Sequence, residues 1–265
     1  MNIIVCIKQV PGSNIVEIDE ATGVMKRDSA EAKMNPYDLY TIETAMYIKE
    51  KTGAKVTAVT MGPDQTTEII KEAYMMGVDD GYVLTDRKFA GADVLATSYT
   101  LSQGISAIGL YDLIICGKQT TDGDTAQVGP ALAEYLDIPH VAWVKSIIDV
   151  SKERITVEQD LGHITQITQI CTPCLITVEK GIFEPRLPSY SLKLSTAGRK
   201  VNKLTFRDYA DQDEGKYGLR GSATSVERTW VPEACSDQVY MEGDCDSIAA
   251  GLFEVLKSRK FIQEV

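Results

Sequence analysis

The sequence predicts an α/β fold: a doubly wound, mostly parallel sheet of Rossmann-like, nucleotide-binding type, with an added β segment and an extended C-terminal arm. Three observations predict it. Short apolar runs alternate with amphipathic, helix-length stretches through the first half of the chain, a βαβα rhythm. One of these runs, residues 113–116, opens into a Gly-, Thr- and Asp-rich turn, GKQTTDGDTAQVGP at 117–130, and then into a helix-like stretch at 131–136. Beyond residue 141 the pattern changes to consecutive strand-like segments and then to a long polar extension.

Taken in order, residues 3–7 form a continuous apolar run suited to a buried parallel strand. Two β-like stretches, 16–18 and 24–26, flank the turn-rich DEATG of 19–23 and suggest a hairpin excursion. Asn35 then reads as an N-cap, Pro36 as the first helical residue and Asp38 as a first-turn acid. Leu39, Ile42, Ala45 and Met46 share one helical face that should pack on the sheet, and Gly53 is a suitable stop. Residues 56–61 and 81–84 are further strands, separated by a helix ending near Gly77. Asp93 is placed to cap a helix running to about Ile108, and 113–116 is the fourth strand. Residues 141–150, 154–159, 165–170 and 174–178 read as consecutive strands. From 180 to 232 there is little periodic apolar content and no evident separate core. A last helix, 247–258, puts Ile248, Leu252, Val255 and Leu256 on one face. Such an extension either folds back on its own domain or reaches across to another subunit.

Composition narrows the function. The chain is 44% hydrophobic and 25% charged, as an ordinary globular protein is. A formal charge of −11 argues against nucleic acid or an anionic membrane as partner. No export signal or membrane span is visible near the start, and the six cysteines make no disulfide framework, so a cytoplasmic location is expected. Cys171 and Cys174 form a C-x-x-C, but His140 and His163 do not complete a zinc pattern, so structural cysteines and no metal are expected.

The chemistry centres on the 117–130 turn. A strand that gives way to a glycine-rich loop and a helix start offers free N–H groups and the positive end of a helix dipole to a phosphate. Four strand ends converge on this edge, at 6–11, 61–63, 84–85 and 116–117, so Lys8, Gln9, Met61 and Gly62 are candidate site residues. Lys8 faces a flavin or phosphate, or else is a solvated charge. Asp122 and Asp124, being like-charged, suit bracing the loop or touching ribose hydroxyls better than touching phosphate. A second candidate anion site begins at Gly91, where the small residues of 89–98 meet a helix start; the competing reading is an ordinary capped helix. G-x-G-x-x-G, P-loop and G-x-S-x-G signatures are absent, as is any convincing Ser/His/Asp set. No catalytic side chain is assigned, so any chemistry belongs to a bound cofactor.

VCIKQVP at 5–11, MNPYD at 34–38, MGP at 61–63, the loop 117–129, PCLIT at 173–177, EPR at 184–186 and GSAT at 221–224 occur in one order. Together they resemble the β (small) subunit of electron transfer flavoproteins over nearly the whole chain. The resemblance implies a nucleotide-binding domain at 1–180, and a docking loop and arm at 181–265 that embraces an α subunit. It implies a nucleotide held by Cys6, Asn35, Pro36, Tyr37, Asp38, Met61 and the loop of Gly117, Lys118, Gln119, Thr120, Thr121, Asp122, Gly123, Asp124, Thr125, Ala126, Gln127 and Val128. In simple electron carriers of the family that nucleotide is AMP; in electron-bifurcating members it is FAD, with NAD(H) beside it. The small residues Gly123 and Ala126 resemble the bifurcating type, since they give a pyrophosphate access to the backbone. The implied activity passes electrons from NADH, lying near 91–98, to ferredoxin and, through a second FAD in the α subunit, to an acyl-CoA or 2-hydroxy-acid dehydrogenase. Residues 181–189 match the region that docks this flavin-dependent dehydrogenase, with Phe183 and Leu187 expected as exposed anchors.

Overall fold

The computed structural model describes residues 1–12, 32–227 and 239–262; the hairpin expected within 16–26 lies outside them. The chain forms two compact units, Met1–Glu227 and Arg228–Val265. The first unit contains β1 (Asn2–Cys6), β2 (Gln9–Pro11), β3 (Ala32–Met34), α1 (Pro36–Thr52), β4 (Lys55–Met61), α2 (Thr67–Met75), β5 (Asp80–Leu84), α3 (Val94–Ile108), β6 (Leu113–Gly117) and α4 (Val128–Tyr135). It continues with β7 (His140–Val150), β8 (Arg154–Asp160), β9 (Thr165–Cys171), β10 (Cys174–Val178), α5 (Tyr190–Thr196), β11 (Asn202–Leu204) and α6 (Gly218–Gly221). The second unit carries α7 (Cys245–Ser258).

The main sheet has the order β11-β5-β4-β1-β6-β10-β7-β8-β9. The strands from β11 to β7 are parallel to their neighbours, and β7, β8 and β9 continue as an antiparallel ribbon. From β1 the chain winds outward through β4 and β5, then returns to place β6 on the other flank of β1. The topological switch point therefore lies between β1 and β6, and ligands of open α/β sheets bind beyond the carboxyl ends of the strands at such a point.

Burial follows the pleat. Ile3, Val5 and Ile7 face a core shared with Ile42, Ala45, Met46 and Ile48 of α1 and Ile69, Ile70 and Ala73 of α2. Ile4 and Cys6 face the opposite core, shared with Leu101 and Ile105 of α3 and Leu132 and Ala133 of α4. That two-sided burial is why the early strands read as unbroken apolar runs. Helix α1 ends at Gly53, which takes φ 68° and donates its N–H to the Lys49 carbonyl at 2.8 Å; this left-handed stop favours glycine.

The strand-like run at 174–178 leaves the antiparallel ribbon. β10 enters the middle of the sheet, between β6 and β7, and all five of its residues are buried.

Of the two readings for the polar extension, residues up to 227 follow the fold-back one. β11 pairs with β5 at the sheet edge, Asn202 opposite Tyr82. The Tyr74 hydroxyl donates to the Lys200 carbonyl at 3.0 Å. Phe206, Tyr209 and Tyr217 are buried against Phe89, with ring centroids of the Phe89–Tyr209 stack 5.4 Å apart. These anchors are scattered rather than periodic, so the sequence shows no core where a few large rings supply one. In the second unit, the Asp244 carboxylate caps α7 by accepting from the Ser247 N–H at 2.8 Å. Within that unit Ile248, Leu252, Phe253 and Val255 stay exposed.

Candidate functional site

The candidate site at the switch point is built on the first turn of α1. Asn35 occupies the N-cap position, yet its side chain makes no cap hydrogen bond. Its Nδ2 instead donates to the Gln119 carbonyl at 3.0 Å, and its Oδ1 accepts from the Thr121 N–H at 3.3 Å. Asn35 therefore ties the helix start to the 117–128 loop, which corrects the capping role expected from its position. Asp38 likewise turns inward. It is 4% exposed and accepts from the Lys8 N–H at 2.7 Å. Burial pushes its carboxyl up to about 7, although hydrogen bonds from Lys8 and Asn35 pull the other way. Gly117 fits closely on this turn: a Cβ there would lie 2.5 Å from Asp38 Oδ1 and 3.0 Å from Tyr37 Cβ.

The loop is braced by its own acids. Lys8 Nζ reaches both Asp122 oxygens, at 2.8 and 2.7 Å. Burial opposes ionisation of Asp122, but hydrogen bonds from Lys8 and Thr120 outweigh it and hold the carboxyl below its ordinary value. Gln119 Nε2 donates to Asp124, whose own N–H donates to the Thr120 carbonyl at 3.0 Å. Asp124 and Ala126 take left-handed φ values of 52° and 55°. Within the chain, the two aspartates brace the loop through these contacts. Among the described residues, the N–H groups of Gly123, Thr125, Ala126, Gln127 and Val128 donate no hydrogen bond within the chain. A Cβ on Gly123 would meet only Thr120 Oγ1, at 3.6 Å, so the loop faces open space there.

Beneath it, Cys6 and Cys116 stand opposite each other on β1 and β6, both buried. The hydrogen bond that the Cys116 thiol donates to Cys6, and then burial, raise that thiol above its ordinary value. Beside this floor, Gln9 lies in β2 opposite Met34, Met61 ends β4, and the Gly62 N–H donates to the Leu84 carbonyl at 3.1 Å.

Gly91 stands apart from this cluster. It takes φ 73° and would put a Cβ 3.3 Å from Leu219 Cβ. The start of α3 is filled by the Asp93 carboxylate, which accepts from the Ala96 N–H at 3.0 Å, the Thr224 N–H at 2.9 Å and the Thr224 hydroxyl at 3.0 Å. This is the capped-helix arrangement. Its link to the loop runs through Ser98, whose hydroxyl donates to the Val128 carbonyl at 3.3 Å.

Glu179, Trp143 and Thr177, none of them a candidate site residue from the sequence, enter the neighbourhood around Lys118. Lys118 Nζ pairs with Glu179 at 2.6 Å and lies 4.9 Å from the centroid of the Trp143 ring. Trp143 sits where the β10–β7 register shifts, with φ 59°, and its N–H donates to Thr177 Oγ1 at 2.9 Å. Thr177 in turn lies against Gly129 at the start of α4. No residue pattern marks this bulge, because it arises only when β10 is inserted beside β7.

On the 181–189 loop, one expected anchor is corrected. Phe183 is half-buried and packs on Tyr47 with centroids 4.5 Å apart, whereas Leu187 is 87% exposed. Arg186 fixes the loop by a two-pronged contact with Glu43, Nε and Nη2 each at 2.8 Å. In the C-x-x-C, burial pushes the Cys174 thiol up to about 12, and Cys171 is exposed. Among the described residues no group of acids, cysteines and histidines is arranged to hold a metal, and no helix is long and apolar enough to cross a membrane.

Comparison with known proteins gives one family. Residues 22–208 match the electron transfer flavoprotein domain. The chain is 40% identical over 262 residues to an electron transfer flavoprotein subunit beta of Thermoanaerobacterium thermosaccharolyticum, covering 99% of this chain and 100% of that one. It is 37% identical to the corresponding subunit of Clostridium acetobutylicum, at the same coverage. It is also 36% identical to the caffeyl-CoA reductase-Etf complex subunit CarD of Acetobacterium woodii, covering 99% of this chain and 100% of that protein.

Proposed function

This chain belongs to the electron transfer flavoprotein family as a member of the β-subunit type, and we propose that it binds FAD at the 117–128 loop, in a heterodimer with an α subunit, and takes part in electron bifurcation. The observation that carries this reading is the row of uncommitted N–H groups at Gly123, Thr125, Ala126, Gln127 and Val128. They stand beside a glycine whose Cβ side is open. Backbone dipoles and the start of α4 meet a diphosphate's charge there. That suits a chain whose net charge of −11 offers no general attraction to an anion. Lys8 and Lys118 flank the loop, each held by a carboxylate, and Lys8 can trade part of that contact for a phosphate oxygen. Asn35 and Asp38 fix the loop and the Lys8 turn to one helix end, so the amides are aimed before the ligand arrives.

When bound, the flavin supplies the redox chemistry, by which electrons from NAD(H) are divided between ferredoxin and, through a second FAD in the α subunit, an acyl-CoA or 2-hydroxy-acid dehydrogenase. NAD(H) is assigned to the Ser98 side of the loop, near 91–98. Leu187, clasped between Arg186 and the Ser189 N–H bonded to the Met75 carbonyl at 2.9 Å, is the anchor offered to the dehydrogenase. The likeness to CarD, named as a subunit of a reductase-Etf complex, supports a member that works with a dehydrogenase-type partner. Gly123 and Ala126 favour FAD over AMP by leaving room at the backbone. The test is to denature the purified heterodimer and count the nucleotides released. Two FAD are expected; one FAD with one AMP would leave a simple electron carrier in place of a bifurcating one.

A further inference from the structure

Trp143 has no explanation in the folding of its own strand. At φ 59° it occupies a conformation that glycine or asparagine adopts with less loss, and a large ring there is held against a backbone preference. Asp124 and Ala126, two other non-glycine residues in this conformation, belong to the loop itself. The Trp143 bulge is fixed by its N–H to Thr177 Oγ1. Trp143 remains 39% exposed, and its ring's neighbour is the ammonium of Lys118, the second residue of the loop. Lys118 is pinned in that place by Glu179. A strained, half-exposed indole at the carboxyl edge of the sheet, with a fixed cation on it, is built to meet something flat.

Resting on the reading that the 117–128 loop holds a nucleotide, we propose that Trp143 is a further residue of that site, stacking its exposed indole on a planar ring of the ligand. The cation at one side of the ring and the bulge at its backbone hold the indole in place, so little side-chain freedom is lost when the ligand stacks. Position favours a nucleotide: β10, which carries Thr177, pairs directly with β6, and β6 runs into the loop. The ring stacked is the isoalloxazine or the adenine, and the two are separable by choice of probe.

The experiment uses the full chain assembled with its α subunit, freed of nucleotide and titrated with FAD and, in a separate arm, with AMP. Trp143 emission is isolated as the part lost in Trp143→Phe; the chain's other tryptophan is Trp230. Expected are saturable quenching of that emission on nucleotide addition and a Kd raised about five- to a hundredfold in Trp143→Ala. Quenching by FAD alone assigns the isoalloxazine, and quenching by AMP as well assigns the adenine. Trp143→Gly should melt no lower than the parent protein while losing the same affinity, which a purely structural tryptophan would not do. An unchanged Kd in Trp143→Ala overturns the proposal. So does emission that changes on assembly with the α subunit and then ignores both nucleotides, because the ring is then covered by protein. If the parent protein binds neither probe, the nucleotide reading itself falls; binding without any dependence on Trp143 removes this inference alone.

Discussion

Replacing Asp38 with Asn isolates the buried acid at the base of the site. The carboxyl is raised from 3.8 to about 7 by burial, so the folded chain holds a proton there that the unfolded chain releases. A raised carboxyl contributes its full stability below the unfolded value and loses it as pH climbs through the folded one. Stability should therefore fall between about pH 4 and pH 7 and level off above. About three pH units at about 1.36 kcal/mol each set the full effect at up to about 4 kcal/mol. Asn keeps an oxygen to accept the Lys8 N–H and has no proton to lose. The nearby Cys116 thiol is itself raised and stays neutral across this window. Urea unfolding of parent and Asp38→Asn proteins at intervals from pH 4 to 8.5 gives the two curves. They should diverge as pH rises, with the variant gaining on the parent until about pH 7. Parallel curves would refute the reasoning, since Asp38 would then titrate alike in both states.

Three other outcomes follow from the same contacts. Gly117→Ala drives a methyl against Asp38 and Tyr37, and thermal melting should show a loss of about 1–3 kcal/mol; an unchanged melting temperature would mean that this packing is not close. Arg186→Ala strands Glu43, whose carboxyl burial raises but whose Arg186 contacts lower it below its usual value. The cost of that change, about 1–3 kcal/mol at pH 7, should shrink in urea titrations as pH falls through and below the glutamate's unfolded value near 4.5, and a pH-independent cost would point to lost packing instead. Truncation after Glu227 removes the unit that carries α7 and should leave the first unit's urea midpoint unchanged while abolishing co-purification with the α subunit; a stable truncated heterodimer would rule out the arm as a clamp.

The parts legible in the sequence are those written in local pattern. Ile3 to Ile7 read as a buried strand because both faces of β1 are covered, and Asp93 read as a cap because its carboxylate does bond the Ala96 N–H. The 117–128 loop was visible from glycine, threonine and aspartate spacing alone. What stayed hidden depends on distant segments meeting. Asn35 looks like its own helix's cap, and only the return of β6 beside β1 brings Gln119 and Thr121 within its reach. Asp38 reads as a first-turn acid, and its burial shows only when Gly117 closes over it. Insertion of β10 between β6 and β7 creates the Trp143 bulge, and no periodicity records an insertion. Phe183 appeared to be a second exposed anchor because Tyr47, its partner, lies on a separate helix.

The reading proposed for this chain requires that the main-chain amides of the 123–128 turn grip a nucleotide. Gly123→Trp is the test, because a Cβ there meets only Thr120 Oγ1, at 3.6 Å, and the indole beyond it should take the space proposed for the ligand. Parent and variant heterodimers, purified alike and matched for melting temperature, are denatured and their released nucleotides counted. The variant should lack one nucleotide that the parent carries and keep the other; equal nucleotide content in the two would contradict the claim.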